Sequence, residues 1–216
     1  MLISKISAAL AALCLLCTIN SQNLPLINSS NPLPEDYVPE DLVEINSTRQ
    51  DGRPTQKMCA DAAEALDRML YDLNAAFPND VAVTVTSGYR SFKYQAYLFD
   101  RSVEAYISDG MSEEEAKKLT GRFTARAGES EHQSGLAADF HNMTSASSSF
   151  ASTPQYKWLC ENAHKYGFIL RYPKDKEQLT GIGFEPWHWR YVGVLHAEKI
   201  KNAGVCLEEY IKYSQN

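Results

Sequence analysis

The sequence has no surplus of positive charge. Its 21 lysines and arginines stand against 27 aspartates and glutamates, which gives a formal net charge of −6 in 216 residues. Nucleic-acid binding depends on a basic face that neutralises phosphates, so nucleic acid is not an expected partner. Internal repeats and low-complexity tracts are missing too, and the length suits one domain with a complete core.

Long hydrophobic runs are scarce, and the one that exists lies close to the N-terminus. Ala8 to Ile19 is almost unbroken apolar for 12 residues, and Lys5 is the only charge before Glu35. Such a run is too short to span a bilayer as a mature helix and is typical of the apolar region of a signal peptide. We therefore expect residues 1–21 to be a signal peptide or an N-terminal membrane anchor, which could tether the protein. Export to the cell envelope or the extracellular space follows from either.

Cysteine is also sparse, with three residues after that segment: Cys59, Cys160 and Cys206. None of the three stands in a CxxC pattern, so a cysteine zinc site is not expected. Two interpretations stay open, namely buried small side chains or one structural disulfide with a thiol left over.

Apolar periodicity predicts a mixture of helices and strands. Helices are predicted at 57–77, 91–103, 113–119, 154–166, 198–201 and 206–213, and strands at 81–86, 136–140 and 187–192. Ser112 is the expected N-cap of the third helix, and Gly167 the stop of the fourth. Because the order shows no regular βαβ repeat, the class is α+β, with a mainly antiparallel sheet flanked by helices.

Two segments contain the residues of a metal site. His132 and Asp139 lie seven residues apart across Gly135, where a turn can bring the imidazole back beside the carboxylate. Asp139 lies in an apolar run, where an unpaired carboxylate is costly. His188 supplies a third ligand, and a catalytic zinc ion needs three. Glu185, placed before the strand by Pro186, is the base that a catalytic site needs and a structural site does not.

The remaining histidines and Arg190 receive lesser roles. His141 would share a strand face with Asp139, so it either lines the groove or supports the ligands from behind. His164 and His196 are expected on the surface. Arg190 is given no role.

Several motifs together resemble one family. Ser130-x-His132 with Asp139, followed by Glu185-x-x-His188, resembles the LAS zinc peptidases, and most of all the VanY-type carboxypeptidases of bacterial cell-wall metabolism. Further similar segments are Ser87-Gly88-Tyr89-Arg90-Ser91 with Gln95, then 166–173 and 187–193. The resemblance implies the hedgehog/D,D-peptidase fold, and it places the Pro-rich stretch 24–46 with the domain as an N-terminal arm, so that one peptidase domain covers 22–216.

The resemblance also implies a function. It predicts a monomeric carboxypeptidase with one Zn²⁺ per chain, which removes the C-terminal D-alanine from peptidoglycan stem peptides. Arg90 would face the substrate's carbonyl or carboxylate, and Gln95, Ser130 and Tyr172 would contact the peptide. The alternatives are an L,D-carboxypeptidase that acts on tetrapeptide stems, or a non-catalytic, zinc-stabilised wall-binding module.

Overall fold

A computed structural model describes residues 24–214. The expected signal peptide or anchor at 1–21 lies outside them. The helices within this range are α1 Ala60–Ala76, α2 Phe92–Ser108, α3 Glu113–Thr120, α4 Pro154–Asn162, α5 Glu177–Thr180, α6 Val194–Ala203 and α7 Leu207–Ser214. The strands are β1 Leu42–Glu44, β2 Lys57–Cys59, β3 Thr84–Ser87, β4 Ala137–His141, β5 Phe168–Leu170 and β6 His188–Tyr191. Single 3₁₀ turns stand at Glu131–Ser134, Ser148–Ser152, Ala163–Tyr166 and Lys174–Lys176.

The main sheet positions the site. Its strand order is β3-β4-β6-β5, and every neighbouring pair is antiparallel. In the β4–β6 pair, Asp139 lies directly opposite His188. Opposed residues of an antiparallel pair project from the same face, so the register alone brings this carboxylate and this imidazole together.

The core lies between helix α1 and the sheet. Leu66, Met69, Leu70 and Leu73 of the helix are fully buried against a cluster that includes Trp189 of β6. These positions are spaced three or four residues apart, which is why one face of α1 is apolar. The rigid layer that results holds β4 and β6 in register.

Several element boundaries differ from the sequence-based predictions, among them the helix predicted at 91–103, which runs to Ser108, and the helix predicted at 198–201, which spans Val194–Ala203. The helix predicted from residue 57 begins at Ala60, because Lys57–Cys59 pairs with β1 as a strand. The strand predicted from residue 81 begins at Thr84. The side-chain amide of Asn74 binds both the N–H (2.9 Å) and the carbonyl (3.0 Å) of Val83, so a side chain takes the place of ladder partners there.

Local signals at the ends of helices were predicted correctly. Ser112 caps α3, and its hydroxyl accepts from the backbone N–H of Glu115 in a capping box. Gly167 ends the 3₁₀ turn after α4 with φ +84°, a conformation that favours glycine.

The Pro-rich arm packs on the rest of the protein. Leu24 and Leu26 lie against the apolar cluster of Ile200 and Leu207. The carbonyl of Pro25 accepts a hydrogen bond from Arg190 at 3.0 Å. These contacts hold the arm against helices α6 and α7 and strand β6.

The three cysteines of the described range are free thiols. Cys206 is buried, and the Cys59 thiol donates to the carbonyl of Ser134 at 3.3 Å. Of the two interpretations left open, the structure thus has free thiols rather than a disulfide. Between residues 24 and 214, none of the helices has the length and hydrophobicity needed to cross a membrane.

Candidate metal centre

Three side chains converge at one end of the β4–β6 pair. Asp139 and His188 are brought together by strand register, and His132 arrives on the 3₁₀ turn that ends at Gly135. Gly135 has φ +69°, and a Cβ there would lie 2.9 Å from the sulfur of Cys59. Only glycine suits a turn this tight and this closely packed, so residue 135 returns the chain from His132 to Asp139.

Two of the three distances between donor atoms match those of a tetrahedral site, and all three donors lie within 4.8 Å of one another. The Oδ1 atom of Asp139 lies 3.3 Å from Nε2 of His132 and 3.1 Å from Nδ1 of His188. Donors of a tetrahedral Zn²⁺ ion stand roughly 3.3 Å apart, because each bond to the metal is about 2.0–2.1 Å long. Among residues 24–214, these three form the group of His, Cys, Asp or Glu side chains able to hold a metal ion. The residues present therefore fit zinc.

A hydrogen bond of His132, and for His188 a carboxylate beyond hydrogen-bond distance, indicate which nitrogen of each histidine faces the centre. Nδ1 of His132 lies 2.7 Å from the carbonyl oxygen of Gly88, which can only accept, so Nδ1 carries the proton and the Nε2 lone pair is free. Nε2 of His188 is directed towards Oε2 of Glu131 at 3.9 Å, which leaves its Nδ1 for the centre. Both imidazoles are thus oriented from behind, as metal-binding histidines require.

The pKa values of the two histidine ligands are shifted in opposite directions. Burial and the nearby Arg90 lower the pKa of His132 to about 4. Burial would also lower the pKa of His188, but contacts with Asp139 and Glu131 outweigh it and raise the value to about 9. Without a metal cation, the carboxylates around His188 thus favour a proton on its ring. A divalent cation would satisfy the same carboxylates.

Glu185 lies beside the ligands without joining them. It precedes the turn Pro186–Trp187, as the sequence predicted, and its Oε2 is 3.7 Å from Nδ1 of His188. It is only 5% exposed, and burial raises its pKa to about 8. A carboxyl group with a pKa near neutrality can both accept and return a proton.

A cleft opens over the centre, and the predicted substrate residues line it. Its empty volume is about 290 Å³, and its walls include Arg90, Gln95, Ser130 and Tyr172. Gln95 donates to the carbonyl of Ala125 at 2.7 Å, while its own side-chain oxygen is buried without a partner.

Arg90 and Tyr172 bracket the metal ligands within this cleft. Nη2 of Arg90 lies 3.6 Å from Oδ2 of Asp139, and its Nε has no hydrogen-bond partner. The ring of Tyr172 stands 4.8 Å from the ring of His188. Every residue that the sequence assigned to metal, base or substrate is therefore found in one place, and their individual roles stay predictions.

A buried ion network behind His188 was missed by the sequence analysis. Oε1 of Glu131 lies 2.8 Å from Nε of Arg171 and 2.8 Å from Nη1 of Arg190. Glu208 of α7 pairs with Arg171 from the other side at 2.6 Å. The interpretation of Arg190 as a residue without a role is therefore wrong, because it is fully buried and pairs with the carboxylate that faces His188. The available signal was a glutamate next to His132 in a chain with one arginine inside an apolar strand and another directly after one.

The three remaining histidines lie outside the group of metal ligands, and each has different surroundings. His141 is buried, accepts from the backbone N–H of Met143 and contacts Arg49, so it supports the strand from behind rather than binding metal. The prediction that His196 lies on the surface is wrong, since it is 4% exposed and contacts the hydroxyl of Tyr210 at 2.8 Å. His164 is half-buried.

A buried triad of donors with a separate carboxyl group beside it defines a hydrolytic metal centre. The model of the VanY family, D-alanyl-D-alanine carboxypeptidase, matches residues 55–194. The chain belongs to this family, as its motifs predicted.

Individual relatives agree with this assignment. The D-alanyl-D-alanine carboxypeptidase of Enterococcus faecalis is 39% identical over 192 residues, which cover 88% of this chain and 65% of that protein. The chain thus spans slightly less than two thirds of that relative's length.

Solved structures are similar over most of their length. The LdcB LD-carboxypeptidase is 36% identical with a TM-score of 0.76, covering 90% of this chain and 88% of that chain. A variant of the VanY D,D-pentapeptidase from the VanB-type resistance cassette, in complex with Zn(II), is 36% identical with a TM-score of 0.70, covering 87% and 98%. The predicted hedgehog/D,D-peptidase fold is confirmed by these neighbours.

Proposed function

We propose that this protein is a zinc-dependent carboxypeptidase that removes the C-terminal D-alanine from peptidoglycan stem peptides. The observation that carries the proposal is the triad of His132, Asp139 and His188, whose donor atoms lie within 4.8 Å of one another, with the buried Glu185 beside it. A wall-binding module stabilised by zinc would need the three ligands but no carboxyl group of raised pKa next to them. Family membership and the zinc-bound relative support the same conclusion.

Each side chain of the cleft has a separate role in peptide hydrolysis. When bound, Zn²⁺ supplies a Lewis acid for the attack of water on the scissile carbonyl. Glu185 accepts the proton of the attacking water and returns it to the leaving amine of D-alanine, for which its pKa of about 8 is suited. The guanidinium of Arg90 donates to the oxygen that becomes negative during attack. Gln95 and Ser130 line the wall along which the peptide lies.

An L,D-carboxypeptidase that acts on tetrapeptide stems is the second candidate. The LdcB LD-carboxypeptidase has a TM-score of 0.76 to this chain, whereas the family model and the enterococcal relative are named for D-alanyl-D-alanine. Both activities release the same terminal D-alanine and differ in the residue before the scissile bond. We propose the D,D activity because two independent comparisons carry that name.

The cellular setting belongs to the same proposal. A stem peptide of the wall is reached from outside the cytoplasmic membrane, and the apolar run Ala8 to Ile19 is suited to export. We propose an exported enzyme with residues 1–21 as a leader or tether and 22–216 as the peptidase domain. A monomer suffices, because one chain supplies every residue of the cleft.

Mass spectrometry of stem peptides tests the function directly. Zinc-loaded protein is incubated separately with a pentapeptide ending in D-Ala-D-Ala and with the corresponding tetrapeptide. Loss of one alanine from the pentapeptide is expected, while loss from the tetrapeptide alone would favour the L,D activity. Glu185→Gln is the matched control, since an amide of the same size cannot take the proton. Unchanged turnover in Glu185→Gln, or no turnover of either peptide by the zinc-loaded wild type, would refute the proposal.

A further inference from the structure

A groove beside the cleft gathers positive charge on an otherwise acidic protein. Lys117, Lys118, Arg122 and Arg126 line it, and its only acidic lining residue is Glu129. We call it the basic groove. Its empty volume is about 870 Å³. This local excess of cations produces a positive potential on a chain whose net charge is −6. A positive potential favours an anionic ligand.

The cations of the basic groove are available for a ligand. Lys118 and Arg126 are exposed, and within residues 24–214 neither has a carboxylate at ion-pair distance; Arg126 instead lies 4.5 Å over the ring of Phe99. Lys117 and Arg122 pair with the carboxylates of Glu113 and Glu177. Those pairs are solvent-exposed and therefore weak, so an incoming anion can compete for both cations.

The basic groove adjoins the cleft over the metal ligands. Ala125, Tyr172 and Ile182 line both spaces. The ring of Tyr172 stands 4.8 Å from that of His188, so one side chain separates the groove from the reacting end. An extended peptide advances about 3.3–3.6 Å per residue, and three residues therefore span roughly 10 Å. A substrate whose last residue lies at the metal can reach the groove with the residues before it.

We propose that the basic groove is a second subsite, which binds a free carboxylate in the part of the peptide substrate that precedes the scissile bond. This proposal rests on the proposed function and identifies a specificity determinant for it. Stem peptides carry a γ-linked D-glutamate whose α-carboxylate lies three positions before the terminal D-alanine, within the reach given above. A separate phosphate-rich wall polymer would be anionic too, but the shared wall of Tyr172 favours a carboxylate on the same molecule that enters the cleft.

Two pentapeptides that differ in one group provide the test. The first carries D-isoglutamate at its second position, with a free carboxylate, and the second carries D-isoglutamine, with a neutral amide. Zinc-loaded wild type should show a lower KM for the carboxylate peptide, and the double variant Lys118→Gln, Arg126→Gln should show equal KM values for the two. We expect a change of roughly twofold to fivefold per charge removed, as for exposed ion pairs. The value of kcat should not change, because the groove does not touch the reacting atoms.

Two controls isolate the effect. Lys157→Gln removes an exposed cation of α4 that lines neither space, and it should keep the preference of the wild type. A short substrate, N-acetyl-L-lysyl-D-alanyl-D-alanine, ends before the groove, so the double variant should hydrolyse it as the wild type does. Equal KM values for the two pentapeptides in the wild type would overturn the proposal.

Direct binding separates failure of this proposal from failure of the proposed function. Fluorescence anisotropy of the labelled tripeptides L-Ala-γ-D-isoGlu-L-Lys and L-Ala-γ-D-isoGln-L-Lys needs no turnover. Tighter binding of the carboxylate form, lost in the double variant, supports the groove even if no peptide is hydrolysed. Equal binding of both forms, or a groove-dependent affinity for poly(glycerol phosphate) without any carboxylate preference, would reject it.

Discussion

Replacement of Glu131 by glutamine tests whether the buried ion network supports the metal ligand. The carboxylate is fully buried, and both Arg171 and Arg190 approach its Oε1 atom at 2.8 Å, which leaves Oε2 directed at His188. Glutamine has nearly the same shape, so packing is retained while the charge disappears. The consequence should be electrostatic alone.

The expected loss of stability in Glu131→Gln depends on which partners each arginine keeps. Arg171 keeps Glu208 at 2.6 Å, but among the described residues Arg190 keeps only the carbonyl oxygens of Pro25 and Tyr191. Removing one partner of a buried pair costs about 3–5 kcal/mol, because the other charge is left uncompensated. We therefore expect the free energy of unfolding of Glu131→Gln to fall by about that amount. Loss of the group behind His188 should weaken zinc binding by roughly tenfold to a hundredfold.

Urea denaturation and competition with a zinc chelator measure the two quantities separately. Glu208→Gln is the matched comparison, since it removes a carboxylate from the same network at a position that is partly exposed and does not face His188. The decrease in the free energy of unfolding and the decrease in zinc affinity should both be smaller in Glu208→Gln. If Glu131→Gln unfolds at the wild-type urea concentration and binds zinc with unchanged affinity, the reasoning about this network is refuted.

Three further variants probe other parts of the centre. His188→Ala should lose its zinc, as elemental analysis of the purified protein would reveal, and full occupancy would remove His188 from the ligand set. Arg90→Lys should lower kcat by about a hundredfold if the planar guanidinium stabilises the developing charge, whereas unchanged kinetic constants would place Arg90 outside the site. The pKa of His141 is lowered to about 4 by burial and by Arg49, so on acidification from its usual value near 6.5 the unfolded chain takes up a proton first. The free energy of unfolding should therefore fall as the pH is lowered from about 6.5 to about 4. A urea series at several pH values should show a weaker dependence of this free energy on pH for His141→Gln than for the wild type.

Signals that are local in sequence predicted most of the site. The spacing of His132 and Asp139 across Gly135, and the turn before His188, depend on a few neighbouring residues, and the antiparallel register then brings the two segments together. The capping of α3 by Ser112 is local in the same way.

The parts that were missed depend on partners distant in sequence. Glu131 contacts Arg171 and Arg190, which are 40 or more residues away, and no periodicity records an ion pair. His196 lies near the C-terminus, where a surface position was expected, and its burial against Tyr210 follows from the packing of α6 on α7. Tertiary contacts of this kind can be derived only once the fold is known.

The buried ion network also makes the setting of one metal ligand depend on both ends of the described chain. It joins Pro25 of the arm to Arg190 and joins Arg171 to Glu208, so it draws on positions near both of those ends. A chain cut before α7 would keep His132, Asp139 and His188 but would lack the Glu208 carboxylate that pairs with Arg171 behind them. Such a chain would carry the complete ligand set and only part of the scaffold that orients it.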